Sequence, residues 1–382
     1  MVSQRASEVT PFIAMDVLER ANEMDDVVHL EVGEPDFSPP ETVTETAVES
    51  LRAGNTNYTS ARGKPDLRRA VADRYDREYG VDVDPGRIVV TPGSSPGLFL
   101  AMAAAVDPGE EVVLTDPHYA CYPNFVRVVG GRVRTVPLYA EDGFRPRVSA
   151  FDATVEERTR ALLLNSPANP TGAVMDGDTL ASLVDLADAN DATVIADEVY
   201  HGLSYGAEEH TVLEYTDEAF VLDGFSKRYA MTGWRLGWMV VPPGYVDAVN
   251  RLAQNTLICA PNFVQDAGVT ALGTPPDRLE AIRETYRERR DLLVDAVEDW
   301  GMDLGYTPGG AYYLLADVTD LPGDALDVAD LLLEEAGVAV TPGMDFGDRA
   351  ADYVRLSYAT DVGAIEAAIA RIERVLETVE RI

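Results

Sequence analysis

Phe220-Val221-Leu222 is a short apolar run that breaks off into Asp223-Gly224-Phe225-Ser226-Lys227, and six similar runs share the chain with it. They are Ile88 to Thr91, Val112 to Thr115, Val133 to Pro137, Ala161 to Leu164, Thr193 to Ala196 and Leu236 to Val241. Stretches with helical spacing lie between several of them, as at Leu98 to Val106 and Thr179 to Ala189. Strands that alternate with helices predict an α/β domain built round a mostly parallel sheet. The last part of the chain reads differently. A long charged helix is expected from Pro276 to Trp300, then stretches at Ala311 to Asp317, Asp327 to Glu335 and Tyr353 to Tyr358, then a closing helix from Val362. That order predicts a smaller α+β unit. No internal repeat or low-complexity linker interrupts the chain.

In open α/β sheets, ligands sit beyond the carboxyl ends of the strands, and the distinctive residues fall there. Gly93-Ser94-Ser95 follows Thr91, Asn165 and Asn169 follow Leu164, Asp197 follows Ala196, and Ser226-Lys227 follows Leu222. Four strand ends are expected to converge on one pocket. Pro92-Gly93-Ser94-Ser95-Pro96-Gly97 leads from a strand into an apolar helix, with Ser95 expected as N-cap and Pro96 as the first helical residue. The free N–H groups and the dipole of such a helix start favour an anion. Arg235, eight residues after Lys227, supplies a permanently charged fork suited to two phosphate oxygens. The Ser226 hydroxyl offers a third contact.

Lys227 is one of only two lysines in 382 residues, the other being Lys64. Arginine replaces lysine where only a cation is wanted, but not where a primary amine must lose its proton and attack a carbonyl. Lys227 is therefore the candidate for a Schiff-base lysine in a pyridoxal phosphate site. A carboxylate at Asp197 would pair with the pyridinium nitrogen and keep the ring protonated as an electron sink. Tyr200 would donate to the ring oxygen, and Tyr119 offers a flat face for stacking. Arg355, in the strand-like run Tyr353-Val354-Arg355-Leu356-Ser357-Tyr358, would take an α-carboxylate with its fork. Each has a plainer alternative: a satisfied core polar group at Asp197, a packed aromatic at Tyr119, a surface arginine at Arg355.

These stretches resemble the fold-type I, class I/II aminotransferases. The matching residues are Gly33-Glu34-Pro35-Asp36-Phe37, Tyr58-Thr59-Ser60-Ala61-Arg62-Gly63, Gly93-Ser94-Ser95, Asn165-Ser166-Pro167-Ala168-Asn169-Pro170-Thr171-Gly172, Ala196-Asp197-Glu198-Val199-Tyr200, Ser226-Lys227 through Arg235, and Arg355. The resemblance implies a large cofactor-binding domain, residues 41–274, with a mostly parallel mixed sheet flanked by helices. A smaller α+β domain would combine residues 1–40 with 275–382. It implies a homodimer with shared active sites, in which Tyr58 reaches the phosphate of the partner's cofactor. Asn169 would contact both the ring oxygen and the substrate carboxylate, and Gly33 would line the substrate pocket. The implied reaction moves an α-amino group between an L-amino acid and a 2-oxo acid, with 2-oxoglutarate as acceptor and Lys227 moving the α-proton.

A lyase or decarboxylase of the same fold is the runner-up. A pyridoxal-phosphate-responsive transcription regulator is more remote, because residues 1–30 are too few and too acidic for a DNA-binding head. The donor stays open among aspartate, alanine, branched and aromatic amino acids. The stretch Gln254 to Asn262 holds no basic residue for a distal carboxylate, which leaves Arg62 or Arg251 as candidates for that task.

Lys and Arg together number 31 against 66 Asp and Glu, a formal charge of −35 spread along the whole chain. A dispersed acidic surface of this kind repels nucleic acid and anionic membranes. Cys121 and Cys259 stand apart from any CxxC spacing, and the four histidines form no metal-ligand pattern. Charged residues in the stretch Met1 to Arg20 argue against a signal peptide or anchor, so a soluble, cytoplasmic, metal-free protein is expected. Few lysines and many carboxylates resemble proteins of salt-accumulating cells, where screening collapses the mutual repulsion. The thermal midpoint and activity are therefore expected to rise from dilute buffer to molar potassium chloride. Full stability and activity in dilute buffer would rule the halophilic reading out.

Overall fold

The computed structural model describes residues 2–302 and 304–379. After a two-residue strand, β1 (Val28–His29), the next seven strands form one sheet. They are β2 (Ile88–Thr91), β3 (Glu111–Asp116), β4 (Arg132–Pro137), β5 (Thr159–Asn165), β6 (Thr193–Asp197), β7 (Phe220–Gly224) and β8 (Gly237–Val240). Their order is β2-β8-β7-β6-β5-β3-β4. Strand β8 runs antiparallel to both β2 and β7, and the other pairs are parallel. All seven runs expected from the sequence form strands, and the sheet is mixed but mostly parallel.

Successive residues of the central strands face opposite cores, as the two-residue period of a strand requires. Leu162, Leu164, Val194, Ala196 and Val221 pack into one core with the helices Glu41–Arg52, Pro65–Tyr79, Gly177–Ala189 and Asn262–Leu272. Ala161, Leu163, Ile195, Phe220 and Leu222 pack into the other with Ser94–Ala105, Tyr122–Val129 and Val246–Thr256. The helix Ser94–Ala105 lies against β7, β8 and Val246–Thr256, which explains why its sequence is apolar almost all round. Because β3, β5, β6 and β7 are parallel, Asp116, Asn165, Asp197 and Gly224 all end strands at the same edge of the sheet.

The remaining strands are β9 (Tyr313–Asp317), β10 (Val338–Ala339), β11 (Thr341–Pro342) and β12 (Tyr353–Ser357). An antiparallel sheet runs in the order β11-β12-β9, and β1 pairs in parallel with β10. The long helix Pro276–Asp299 and the closing helix Val362–Val379 share a third core with β9 and β12. The stretch expected at Asp327 to Glu335 is helical. Asp324 caps it by accepting from the Leu326 and Asp327 N–H groups at 2.9 and 3.0 Å, and its last turn, Leu332–Ala336, widens to a π-turn. Among the described residues no helix is long and apolar enough to cross a membrane, and no group of His, Cys, Asp and Glu is arranged to hold a metal ion.

This packing sets an unequal tolerance to truncation. Leu222 is 0% exposed in mid-sheet, whereas Val128 is 39% exposed on helix Tyr122–Val129. Leu222→Ala is expected to cost about 3 kcal/mol through lost transfer energy and the cavity left behind. Val128→Ala should stay within about 0.5 kcal/mol. Chemical denaturation of the two variants beside the wild type checks the difference.

Candidate active site

At the carboxyl edge of the large sheet, β2 leads through Gly93 into the helix Ser94–Ala105. Gly93 has φ +89°, and a Cβ there would lie 2.6 Å from Arg235 Nη2, so the turn requires glycine. The Thr91 hydroxyl donates to Gly93 O at 2.6 Å and holds it. The expected cap is corrected here. The helix starts at Ser94, with Gly93 in the capping position and no side-chain cap, so Ser95 and Pro96 are its second and third residues. A positive-φ glycine turns the chain two residues earlier than the expected cap at Ser95. The first N–H groups of a helix have no partner within it, so this end still presents donors.

Arg235 closes the same corner. Its backbone is left-handed, φ +54°, and its guanidinium donates to Thr232 O at 2.9 Å and reaches Pro92 O at 3.5 Å. Ser94, Ser95, Ser226 and Arg235 all border one cavity of about 330 Å³. Tyr119, Asn169, Asp197, Tyr200, Lys227, Gly33 and Arg355 border it as well. The strand ends expected to converge do so.

Lys227 Nζ donates to Gly33 O at 2.9 Å and lies 5.7 Å from the ring centroids of both Tyr200 and Tyr312. Tyr312 donates to the same carbonyl at 3.0 Å. Gly33 itself packs so tightly that a Cβ would fall 1.6 Å from the Tyr313 hydroxyl oxygen. That hydroxyl is 3.0 Å from the Tyr200 hydroxyl.

Asp197, the last residue of β6, is buried. Its carboxylate accepts from the Tyr122 hydroxyl at 2.7 Å and from Val199 N at 3.3 Å. Burial pushes its pKa up to about 6, against the pull of these donors and of Lys227. Asn165 does not border this cavity. Its amide donates to Asp197 O at 2.8 Å and its Oδ1 accepts from Asn169 N at 2.8 Å, so it braces two residues that do.

Arg355 projects from the middle of β12 and is 3% exposed, not a surface arginine. Its guanidinium lies between the rings of Tyr313 and Phe346, 4.4 and 4.6 Å from their centroids. It donates to Asn169 Oδ1 at 3.0 Å, to Glu31 O, and to the Thr341 hydroxyl at 3.3 Å.

Tyr58, whose expected place is a partner subunit's site, is 82% exposed and does not border this chain's cavity. Two other candidates fall elsewhere. Arg62 donates to Gly86 O, and neither it nor Arg251 borders the cavity, so neither can meet a substrate carboxylate there from this chain. Tyr122 and Tyr313, in contrast, were not singled out from the sequence. Tyr122 lies three residues after Tyr119, and Tyr313 is a hydroxyl in an otherwise apolar strand, but neither cue names a partner.

Residues 25–372 match the family of class I and II aminotransferases. The chain is 40% identical over 373 residues to a valine–pyruvate aminotransferase of Mycobacterium tuberculosis, covering 95% of this chain and 96% of that protein. It is 37% identical over 358 residues to an arginine–pyruvate transaminase of Pseudomonas aeruginosa, covering 93% and 91%. Among solved structures, an aspartate aminotransferase from Thermus thermophilus with maleate superposes with a TM-score of 0.94 at 36% identity, covering 98% and 99% of the two chains. Enzymes of this family use pyridoxal 5′-phosphate and act on amino and 2-oxo acids. With the match running through the large sheet, the cavity and β12 alike, the chain belongs to the class I and II aminotransferases and is an enzyme of that kind.

Proposed function

We propose that this enzyme moves the α-amino group of an L-amino acid to a 2-oxo acid, with 2-oxoglutarate as one acceptor and Lys227 as the amine that carries the cofactor. The observation that supports this most directly is the grouping, round one cavity, of a primary amine, a buried carboxylate and two separately held arginine forks.

Pyridoxal phosphate fits these groups. The start of helix Ser94–Ala105, the Ser226 hydroxyl and Arg235 suit a phosphate, and Gly93 keeps clear the space that a Cβ would fill beside Arg235. The buried Asp197 suits a cationic ring nitrogen, Tyr119 a stacked ring, and Tyr200 and Asn169 a ring oxygen. Bound there, pyridoxal phosphate supplies an electron sink for the charge left at the substrate's Cα.

The protein's own groups then divide the work. Arg355 has three of its five N–H donors engaged by protein acceptors, which leaves donors for a substrate carboxylate. Asn169, held by both Arg355 and Asn165, lies at that carboxylate as well. Lys227 Nζ would take the proton from Cα of the bound amino acid as general base and deliver it, as general acid, to the carbon that was the cofactor's aldehyde. Asp197 stays ionised once a cation lies beside it, because opposite charge favours the carboxylate.

The functional unit in this reading is a cytoplasmic homodimer. The exposed Tyr58 supports it, as a side chain left for the neighbouring subunit's phosphate site. The division into residues 41–274 and 1–40 with 275–382 is supported by the cores. One begins at Val43 and ends at Leu272, while the core that holds Leu30 resumes at Tyr286 and draws in Val199 to Tyr205.

The direct test is an absorbance spectrum of the loaded enzyme in high salt, with a panel of amino acids and no oxo acid. A productive donor should convert the bound cofactor to its amine form and release the matching oxo acid. Adding 2-oxoglutarate or pyruvate then shows which acceptor restores the aldehyde form. Lys227→Arg keeps the cation but should lower turnover by about a thousandfold or more. A variant that turns over normally would overturn the lysine assignment.

A second prediction concerns the apoenzyme. Asp197 is held near 6 against an ordinary 3.8, so the folded chain keeps a proton between about pH 4 and 6 that the unfolded chain has lost. Its contribution to stability therefore falls as pH rises, by about 3 kcal/mol in all for a shift of this size, of which about 2 kcal/mol falls between pH 4 and pH 6. The stability of Asp197→Asn apoenzyme relative to wild-type apoenzyme should rise by about 2 kcal/mol from pH 4 to pH 6. Parallel profiles for the two proteins would contradict the assignment.

A further inference from the structure

Helix Pro65–Tyr79 contributes no residue to the cavity, yet its last two turns hold three residues bonded to close chain neighbours of cavity residues. Arg74 donates to the Asp223 carboxylate, three residues before Ser226. Asp223 also accepts from Gly224 N at 2.6 Å, which ties its side chain to the start of the lysine-bearing turn. Glu78 Oε2 accepts from Arg228 Nη1 at 2.6 Å, and Arg228 is the residue after Lys227. The same Glu78 oxygen accepts from Arg74 Nε at 3.0 Å. At the next residue, the Tyr79 hydroxyl lies 2.7 Å from Nδ1 of His201, the residue after Tyr200. The entering and leaving sides of Phe225-Ser226-Lys227 are thus fastened to one helix, through two residues that are themselves bonded together.

The charges balance: two arginines and two carboxylates. Arg74 and Asp223 are 1% and 3% exposed, and the side chains of Arg228 and Glu78 are 14% and 20% exposed. Burial alone would raise Glu78, but Arg74 and Arg228 outweigh it and hold the carboxyl at about 2. Buried ion pairs of this kind are weak sources of stability, since well-packed apolar residues often do as well. What they supply is direction. A lysine side chain is long and flexible, so the placement of Nζ depends on where its backbone turn is held.

We propose that Glu78, acting through Arg228, is a positioning residue for Lys227, and that helix Pro65–Tyr79 is the element against which the lysine-bearing turn is set. This rests on Lys227 being the cofactor-carrying amine. The test uses the loaded enzyme in two forms, the charge-neutral double variant Glu78→Gln/Arg228→Gln and Arg228→Lys, which keeps the charge but loses the fork. Cofactor content, thermal midpoint, the pH titration of the bound cofactor's absorbance and single-turnover kinetics are measured for each.

The expected result is retained cofactor, a single-turnover rate about tenfold lower with the donor KM within about twofold, and a titration midpoint moved by about half a pH unit or more. Arg228→Lys should change both readouts in the same direction by less, and it decides the matter alone if the double variant does not fold. A folded, loaded variant whose rate and midpoint match the wild type overturns the proposal, whatever its thermal midpoint. A wild type whose bound cofactor shows no titrating band would instead overturn the Lys227 assignment, and this proposal with it.

Discussion

A carboxylate that closes a buried parallel strand must be met by donors or by a cation, because leaving it bare in the interior costs several kcal/mol. Asp197 imposes that demand, and much of the site is arranged around it. Tyr122 comes from the helix that follows β3 to donate its hydroxyl, and Val199 turns back to supply an N–H. Asn165 ties the end of β5 to the Asp197 carbonyl and, with its other end, holds Asn169. Through Asn169 the chain of contacts reaches Arg355 on β12, in the other sheet. The large sheet and the smaller one thus meet through the bond between Asn169 and Arg355.

The two arginine forks are held in different ways. Arg235 is exposed and aimed by a left-handed backbone, and its guanidinium can meet an anion at the helix start with little desolvation. Arg355 is buried and clamped between two aromatic rings, with its partners fixed before any substrate arrives. Preorganisation of that kind removes ordering costs from binding.

Both forks and Lys227 lie in a chain whose formal charge is −35. At low ionic strength the acidic surface would oppose the approach of an anionic substrate. At molar salt the Debye length shrinks to about 3 Å, so the local cations of the cavity act without that long-range field. The surface and the site therefore answer to different ranges of the same force.

The seven strands of the large sheet and the closing α+β part were legible because short apolar runs and helical spacing are local properties of the chain. Lys227 stood out because arginine cannot do an amine's chemistry, and Asp197 because a carboxylate is costly at the end of an apolar strand. What the sequence could not decide were pairings between distant residues. The Tyr122 bond to Asp197 spans 75 positions, that of Arg355 to Asn169 spans 186, and that of Glu78 to Arg228 spans 150. The cap of helix Ser94–Ala105 falls at Gly93, where Arg235, far along the chain, occupies the space that a side chain would take. That neither Arg62 nor Arg251 borders this chain's cavity is likewise not written in the order of residues. The types of group that do the chemistry were set locally by what each residue can do; which of them meet, and what holds them there, was decided by the tertiary packing of strand ends and helices that local periodicity does not encode.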